Sequence, residues 1–128
     1  MAIKAIDHIT INCCDLSDSF IFYGEVLGLE RLNDVDMGDH VLHYYQLPGA
    51  RLELIEYNEK QTWRTFGNTD VGIYRHLALV TDDLNSVNAR ISKGGYQVNL
   101  PPTYIPQLDK TVMLVVDPNG VEIELIQE

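Results

Sequence analysis

The sequence predicts an α+β domain built from two copies of one unit, in which a strand is followed by a helix and three further strands. Three observations predict it: a histidine motif occurs twice, each copy is followed by apolar residues at helical spacing, and each half ends on a strand containing Glu-Leu-Ile. The chain has 128 residues, 45% of them hydrophobic, which suits one core of ordinary size. We therefore expect a single domain over residues 1–128, with copies at 1–60 and 70–128 joined by a linker at 58–72.

The two copies correspond at several short segments in the same order. At an offset of 68 residues, the corresponding pairs are His8 with His76, Asp15 with Asp83 and Leu16 with Leu84. Glu53 and Glu124 correspond at an offset of 71, which implies three additional residues in the loops of the second copy. The repeat therefore predicts two units of the same order and content.

A helix is predicted after the first strand of each copy. The apolar residues at helical spacing are Leu16, Phe20, Tyr23 and Leu27 in the first copy and Leu84, Val87 and Ile91 in the second. Asp15 and Asp83 precede these runs and suit the N-cap position, whereas Gly28 and Gly94 follow them and suit the C-cap.

Strands account for most of the remaining pattern. We expect them at 4–12, 29–35, 40–47 and 51–57 in the first copy and at 74–81, 96–100, 111–117 and 120–126 in the second. The breaks fall at turn residues, namely 37–39, Pro48-Gly49, Gly94-Gly95, Pro101-Pro102 and 117–120. The linker at 58–72 contains Trp63 and Phe66, so we expect part of it to pack.

Charge and composition exclude several classes of partner. The formal net charge is -10, and no cluster of Lys and Arg opposes it, so nucleic acid and anionic membrane surfaces are not expected to bind. The sequence has neither a run of 18 apolar residues nor an N-terminal secretion signal, so we expect a cytoplasmic protein. Cys13 and Cys14 are adjacent, so both are expected to be reduced.

Four residues are predicted to bind one divalent metal ion: His8, Glu53, His76 and Glu124. A single histidine or glutamate in a strand is more often a surface or hydrogen-bonded residue. Here both residue types repeat, and two related units packed about a pseudo-twofold axis would bring equivalent positions together. Imidazole nitrogen and carboxylate oxygen suit first-row divalent metals, and two carboxylates neutralise the ion.

Other polar residues have simpler interpretations. His40 and His43 have no counterpart in the second copy and are interpreted as surface or pocket-lining residues. Tyr44 and Tyr45 are interpreted as strand packing. The segment 117–120 has the residues of a turn and receives no catalytic role.

Several segments together resemble the vicinal oxygen chelate superfamily, which includes glyoxalase I, methylmalonyl-CoA epimerase, extradiol dioxygenases, and fosfomycin and bleomycin resistance proteins. They are Asp7-His8-Ile9, Phe22-Tyr23, Leu27-Gly28-Leu29, Leu52-Glu53-Leu54, His76-Leu77-Ala78-Leu79 and 117–125. The resemblance covers nearly the whole chain. It implies two βαβββ modules forming an open, U-shaped mixed sheet around a metal site, commonly completed across a homodimer.

The ligand pattern resembles the glyoxalase I branch. Glyoxalase I has His, Glu, His and Glu in the places of His8, Glu53, His76 and Glu124, whereas the epimerase usually has Gln in the place of Glu53. The resemblance thus implies a lyase of the lactoylglutathione lyase type, which isomerises a hemithioacetal through an enediolate. It also implies one divalent ion, Ni2+, Co2+ or Zn2+, with Glu124 as the main base and Glu53 as a ligand that could act as a second base.

Two alternatives remain open at this point. One is a metal-dependent isomerase, of the methylmalonyl-CoA epimerase type or acting on another thioester or hydroxy acid. The other is a non-catalytic drug-binding protein, which would bind no metal. In each case the expected partner is a small molecule. The candidates for meeting an anionic substrate are Arg51, Arg64, Arg75 and Lys110, although exposed bases are ordinary surface residues.

Overall fold

The computed structural model describes residues 2–59 and 64–128. Contacts within the chain divide it into two units, Met1–Thr62 and Trp63–Glu128. Each unit contains one four-stranded mixed sheet, with a helix after the first strand. The predicted α+β class with two modules is therefore confirmed.

In the first unit, strand β1 spans His8–Asn12 and helix α1 spans Leu16–Phe20, which continues as a π-helical segment over Ile21–Val26. Three strands follow: β2 at Val35–Asp36, β3 at Val41–Leu47 and β4 at Ala50–Ile55. The sheet has the order β1-β4-β3-β2. Strands β1 and β4 are parallel, and the other pairs are antiparallel.

The second unit repeats this topology. Strand β5 spans Leu77–Thr81 and helix α2 spans Leu84–Gly94; they are followed by β6 at Val98–Ile105, β7 at Lys110–Val116 and β8 at Glu122–Gln127. The order is β5-β8-β7-β6, with β5 and β8 parallel. In both units the last strand therefore pairs with the first. The repeated Glu lies on the last strand, and the repeated His lies at the start of the first strand or just before it.

Side chains on the central strands alternate between the face that packs in the core and the face that carries the predicted ligands. On β4, Leu52 and Leu54 are completely buried and lie on the face opposite Arg51 and Glu53. The buried helix residues are Phe22, Tyr23 and Val26 in the first unit and Leu84, Val87 and Ile91 in the second. Burial of these aliphatic and aromatic side chains is the main favourable term that holds each sheet to its helix.

Both predicted N-caps are confirmed, but one predicted C-cap is one residue early. The Asp15 carboxylate accepts from the backbone of Ser17, and that of Asp83 accepts from the backbone of Ser86. In the second unit Gly95, rather than Gly94, has the left-handed conformation, with φ of 72°. Gly94 is the last helical residue, and a Cβ there would collide with the ring of Tyr96.

The predicted strand at 29–35 is mostly irregular. The chain runs beside β3 through one isolated bridge, Arg31 to Tyr45, and becomes a strand only at Val35–Asp36. Between these points the Arg31 guanidinium binds the Asp34 carboxylate three residues on, at 2.6 Å. This local ion pair lies in the segment where the backbone is not paired with β3 as a regular strand.

The predicted strand at 96–100 is longer than expected and contains both prolines. Strand β6 continues through Pro101 and Pro102 to Ile105. Because β6 is an edge strand, the N–H groups that its two prolines lack need not be missed by a neighbouring strand. The register of β6 with β7 shifts between Leu100 and Thr103. The proline pair therefore marks an irregularity within the strand rather than its end.

The linker is described only in part. Residues 60–63 lie outside the described residues, and the expectation that Trp63 packs falls among them. Phe66 is more than half exposed, and the Asp70 carboxylate accepts from the backbone of Gly67 in a local turn. Within the described ranges, neither helix is long and apolar enough to cross a membrane.

Candidate functional site

The first unit brings His8 and Glu53 to the same face of its sheet. Parallel pairing of β1 with β4 sets His8 opposite Arg51 and Thr10 opposite Glu53. The Nε2 atom of His8 lies 3.9 Å from Oε2 of Glu53. The two predicted ligands of this unit are therefore neighbours across adjacent strands.

The other ring nitrogen of His8 is held by a carboxylate. Nδ1 lies 2.7 Å from Oδ2 of Asp7, and the Arg51 guanidinium donates to the same oxygen at 3.2 Å. The hydrogen bond from His8, followed by the interactions with Arg51, lowers the pKa of Asp7. Because an ionised carboxylate only accepts, Nδ1 is the donor, and Nε2 faces Glu53 with its lone pair available in the neutral ring.

Glu53 is buried and accepts hydrogen bonds at both oxygens. The hydroxyl of Tyr44 donates to Oε2 at 2.6 Å, and that of Thr10 donates to Oε1 at 3.1 Å. The hydrogen bond to Glu53, with burial and the negative charge adding to it, raises the pKa of Tyr44. Tyr44 therefore does more than the strand packing that the sequence suggested.

The second unit brings His76 and Glu124 together in a closer arrangement. His76 immediately precedes β5, and its Nε2 lies 2.7 Å from Oε2 of Glu124 on β8. Its Nδ1 lies 3.2 Å from Oε1 of Glu122. Both nitrogens of this ring thus face carboxylates, as Nδ1 and Nε2 of His8 do in the first unit.

Glu122 holds three partners at once. Its carboxylate accepts from Arg75, from Nδ1 of His76 and from the side-chain amide of Asn99, the last at 2.8 Å. Burial alone would raise the pKa of Glu122, but the hydrogen bonds from Asn99, His76 and Arg75 outweigh it and lower the pKa. This carboxylate orients the His76 ring.

Sequence reasoning missed the roles of Asp7 and Glu122. In each unit the histidine Nδ1 binds a carboxylate that also binds an arginine, Arg51 in the first unit and Arg75 in the second. The alternation that places Glu122 on the same face as Glu124 was a usable signal. The sequence cannot show that the Glu122 carboxylate turns toward the histidine.

The donor set within each unit fits a divalent metal by its chemistry. One imidazole nitrogen and one carboxylate oxygen converge in each unit, and an outer carboxylate orients each imidazole, as is usual for metal-binding histidines. Over residues 2–59 and 64–128 the structure forms no group of three or more His, Cys, Asp or Glu side chains close enough to hold a metal ion. What the structure establishes is therefore two separately formed His–Glu pairs.

The remaining polar candidates have local partners. His40 lies 2.6 Å from the carboxylate of Asp39 and packs on Tyr57, and His43 packs edge-on against the ring of Phe20. Both histidines thus have structural surroundings away from Glu53. Their side chains are 17% and 13% exposed, so both are largely buried rather than surface residues.

The basic residues proposed to meet an anionic substrate differ in their surroundings. Arg51 and Arg75 are engaged by Asp7 and Glu122, whereas Arg64 and Lys110 are exposed. A groove of about 470 Å³ in the first unit is lined by Arg51 and Tyr44 together with Glu30, Arg31, Leu32, Asn33 and Val35. Of the four candidates, Arg51 is the one that lines this groove, and Glu53 is not among the lining residues.

The turn at 117–120 positions the start of β8. The buried Asp117 carboxylate accepts from the backbone of Asn119 and of Val121, each at 2.8 Å. Gly120 has φ of 87°, which favours glycine at this point of the turn. The expected turn is confirmed, and it sets the strand that carries Glu122 and Glu124.

Comparisons with known proteins agree with this fold. The sequence model of the Glyoxalase/Bleomycin resistance protein/Dioxygenase superfamily matches residues 5–125. A Synechocystis sp. protein named probable lactoylglutathione lyase is 30% identical over 123 residues, covering 94% of this chain and 92% of that protein.

Solved structures show the same likeness. A glyoxalase family protein from Enterococcus faecalis has a TM-score of 0.77 at 23% identity, with 99% of this chain and 100% of that chain covered. The trypanothione-dependent glyoxalase I of Leishmania major has a TM-score of 0.76 at 25% identity, with 98% and 88% covered. From the sequence match over nearly its whole length, this chain belongs to the Glyoxalase/Bleomycin resistance protein/Dioxygenase superfamily.

Proposed function

We propose that the chain is a metal-dependent lyase of the glyoxalase I type, which isomerises the hemithioacetal of a 2-oxoaldehyde and a thiol. The observation that carries the proposal is the repeated geometry: His8 faces Glu53 in one unit, and His76 faces Glu124 at the corresponding positions of the other. The name of the Synechocystis relative supports the reaction class.

His8, Glu53, His76 and Glu124 are the ligands in this proposal, and they supply one divalent ion, Ni2+, Co2+ or Zn2+, with two nitrogens and two carboxylates. The structure forms each His–Glu pair, and the sharing of one ion by both pairs is part of the proposal. When bound, the ion would stabilise negative charge that develops on two adjacent substrate oxygens. Two carboxylates match its charge.

Glu124 is the main base. Its carboxylate takes the proton from the carbon that bears the hemithioacetal hydroxyl and returns it to the neighbouring carbonyl carbon. The hydroxyl proton passes to the former carbonyl oxygen, so that the product is a 2-hydroxyacyl thioester and no atom is gained or lost. The Glu124 side chain is 16% exposed, against 7% for Glu53, so it is the more accessible of the two carboxylates. Glu53 acts as a ligand in this scheme.

We infer a homodimer that acts in the cytoplasm on a small molecule, because the family resemblance implies dimeric sites and the charge of -10 opposes polyanionic partners. Sedimentation of the purified protein measures the dimer directly, and a monomer at micromolar concentration would contradict this part.

Two other activities are tested by the same measurements. An epimerase of the methylmalonyl-CoA type would use the same metal and the same base on a different thioester, so it is distinguished only by its substrate. A drug-binding protein would bind no metal. The four-ligand set with Glu53 favours the lyase over both.

The deciding experiment loads purified protein with Ni2+, Co2+, Zn2+ or Mn2+ and follows thioester formation from methylglyoxal and glutathione. We expect turnover with at least one metal and none after chelation. Bound metal without turnover of any 2-oxoaldehyde with glutathione or another thiol would exclude the lyase and favour the epimerase. Failure to bind any metal would favour the drug-binding alternative.

A further inference from the structure

The two repeated glutamates have different neighbours on their sheets. Across adjacent strands, Glu53 is opposite Thr10 on β1 and Tyr44 on β3. At the corresponding positions, Glu124 is opposite Ala78 on β5 and Leu114 on β7. Two hydroxyl-bearing residues flank one carboxylate, and two aliphatic residues flank the other.

This difference decides how firmly each carboxylate is held. Oε1 of Glu53 accepts from the Thr10 hydroxyl and Oε2 from the Tyr44 hydroxyl, so rotation of the carboxylate would break both hydrogen bonds. The Tyr44 ring is itself fixed, since it is buried and the Arg51 guanidinium lies 4.3 Å from its centroid. Among the described residues, His76 is the one ion-pair or hydrogen-bond partner of the Glu124 carboxylate.

We propose that Tyr44 and Thr10 are positioning residues that fix Glu53 as a permanent metal ligand, a role that their counterparts Ala78 and Leu114 do not provide for Glu124. This inference rests on the proposed function, because it concerns the same ligands. It extends that function by naming the two hydroxyls that hold Glu53 in its role as a ligand.

The physical basis is preorganisation. A carboxylate already held in the binding orientation loses less conformational freedom when an ion arrives, and each oxygen keeps a second lone pair for the ion after accepting one hydrogen bond. Loss of a partner that orients a ligand typically lowers metal affinity by about 10–100-fold. Tyr44→Phe and Thr10→Val each remove one hydroxyl while keeping the side chain's shape, so each should weaken binding within that range.

Tyr45→Phe is the matched control. Tyr45 is the next residue on β3 and is also buried, but its hydroxyl donates to the backbone carbonyl of Phe20 at 3.4 Å rather than to Glu53. Thr10→Ser is the conservative variant, because it retains the hydroxyl that Thr10→Val removes. All variants are purified as the full chain and compared by thermal unfolding, so that loss of folding is seen separately.

The measurement is calorimetric titration with Ni2+, together with the visible absorption of the Co2+-loaded protein. We expect dissociation constants raised about 10–100-fold in Tyr44→Phe and Thr10→Val, a changed Co2+ spectrum, and wild-type values in Tyr45→Phe and Thr10→Ser. Wild-type affinity and spectrum in folded Tyr44→Phe and Thr10→Val would overturn the inference while leaving the proposed function standing.

Two further outcomes separate the claims. Weakened metal binding in the two variants, in a protein that turns over no hemithioacetal, would support the positioning role and overturn only the proposed lyase activity. A wild-type protein that binds no divalent metal would overturn both.

Discussion

Replacing Glu122 by Gln tests whether this carboxylate organises the second unit. Its three partners cannot all be kept, because an amide offers only one acceptor oxygen. If that oxygen faces Arg75 and His76, the amide nitrogen meets the donor nitrogen of Asn99 at 2.8 Å. Asn99 cannot reverse its amide freely, because its Oδ1 accepts from Gln97 at 2.9 Å.

The magnitude follows from these contacts. Loss of one hydrogen bond costs about 1 kcal/mol, and loss of the charge opposite half-exposed Arg75 costs about 1 kcal/mol after screening. The two losses together cost about 2 kcal/mol. With an unfolding entropy of about 2.1 cal/mol/K per residue over 128 residues, this cost lowers Tm by about 7 °C.

The pH dependence has a definite sign. Because the folded pKa of Glu122 lies below its ordinary value of 4.5, its charged form stabilises the fold above that value, and the stabilisation is lost as pH falls through the folded pKa. Gln does not titrate, so the difference in Tm between wild type and variant should be largest near pH 7 and should shrink below pH 4.5.

The assay is thermal unfolding by circular dichroism at several pH values, with Glu25→Gln as the control. Glu25 is an exposed glutamate in the π-helical segment, and its substitution makes the same change in charge. A Glu122→Gln variant that melts within 1–2 °C of wild type at pH 7 would refute the reasoning, as would a difference that grows on acidification.

Three further predictions follow from the site and its supports. Glu124→Gln should lower kcat by about 10²–10⁴-fold, as expected for loss of a general base. Because Glu124 is also a proposed ligand, the rate is compared per bound metal ion, and a kcat within threefold of wild type in a steady-state assay would exclude Glu124 as the base. Asp117→Ala should destabilise the protein by about 3 kcal/mol in urea unfolding, because two backbone N–H groups lose a charged, buried acceptor, and an unchanged urea midpoint would contradict this account of the turn. Gly95→Ala should cost about 1–2 kcal/mol by the same measurement, since its φ of 72° is strained for any residue with a Cβ, whereas equal stability would mean that the cap relaxes.

The fold was largely predictable because its signals are local. Apolar spacing after Asp15 and Asp83 located both helices, and the repeat identified two units of the same order. Apart from the C-cap at Gly95, the main errors lie in strands at the sheet edges, where pairing is partial. Strand β2 is only Val35–Asp36, shorter than predicted, and β6 continues through two prolines. An edge strand tolerates both incomplete backbone hydrogen bonding to its neighbour and the N–H groups that proline lacks.

The candidate site was predictable at the level of residue type. The repeat selected His8, Glu53, His76 and Glu124, and the structure brings each His to the Glu of its own unit. The supporting residues were not predictable in the same way. Tyr44 was interpreted as packing, since a tyrosine in a strand is usually that, and only its position opposite Glu53 reveals the hydrogen bond.

The sequence by itself determined the duplicated architecture, the acidic surface and the residue types at the repeated positions, because these depend on periodicity and composition along the chain. Tertiary structure alone decided which side chains meet across strands. The register places two hydroxyls beside Glu53 and two aliphatic side chains beside Glu124. Cross-strand neighbours are far apart in sequence, and a shift of one residue would send each side chain to the opposite face, so no local pattern encodes them.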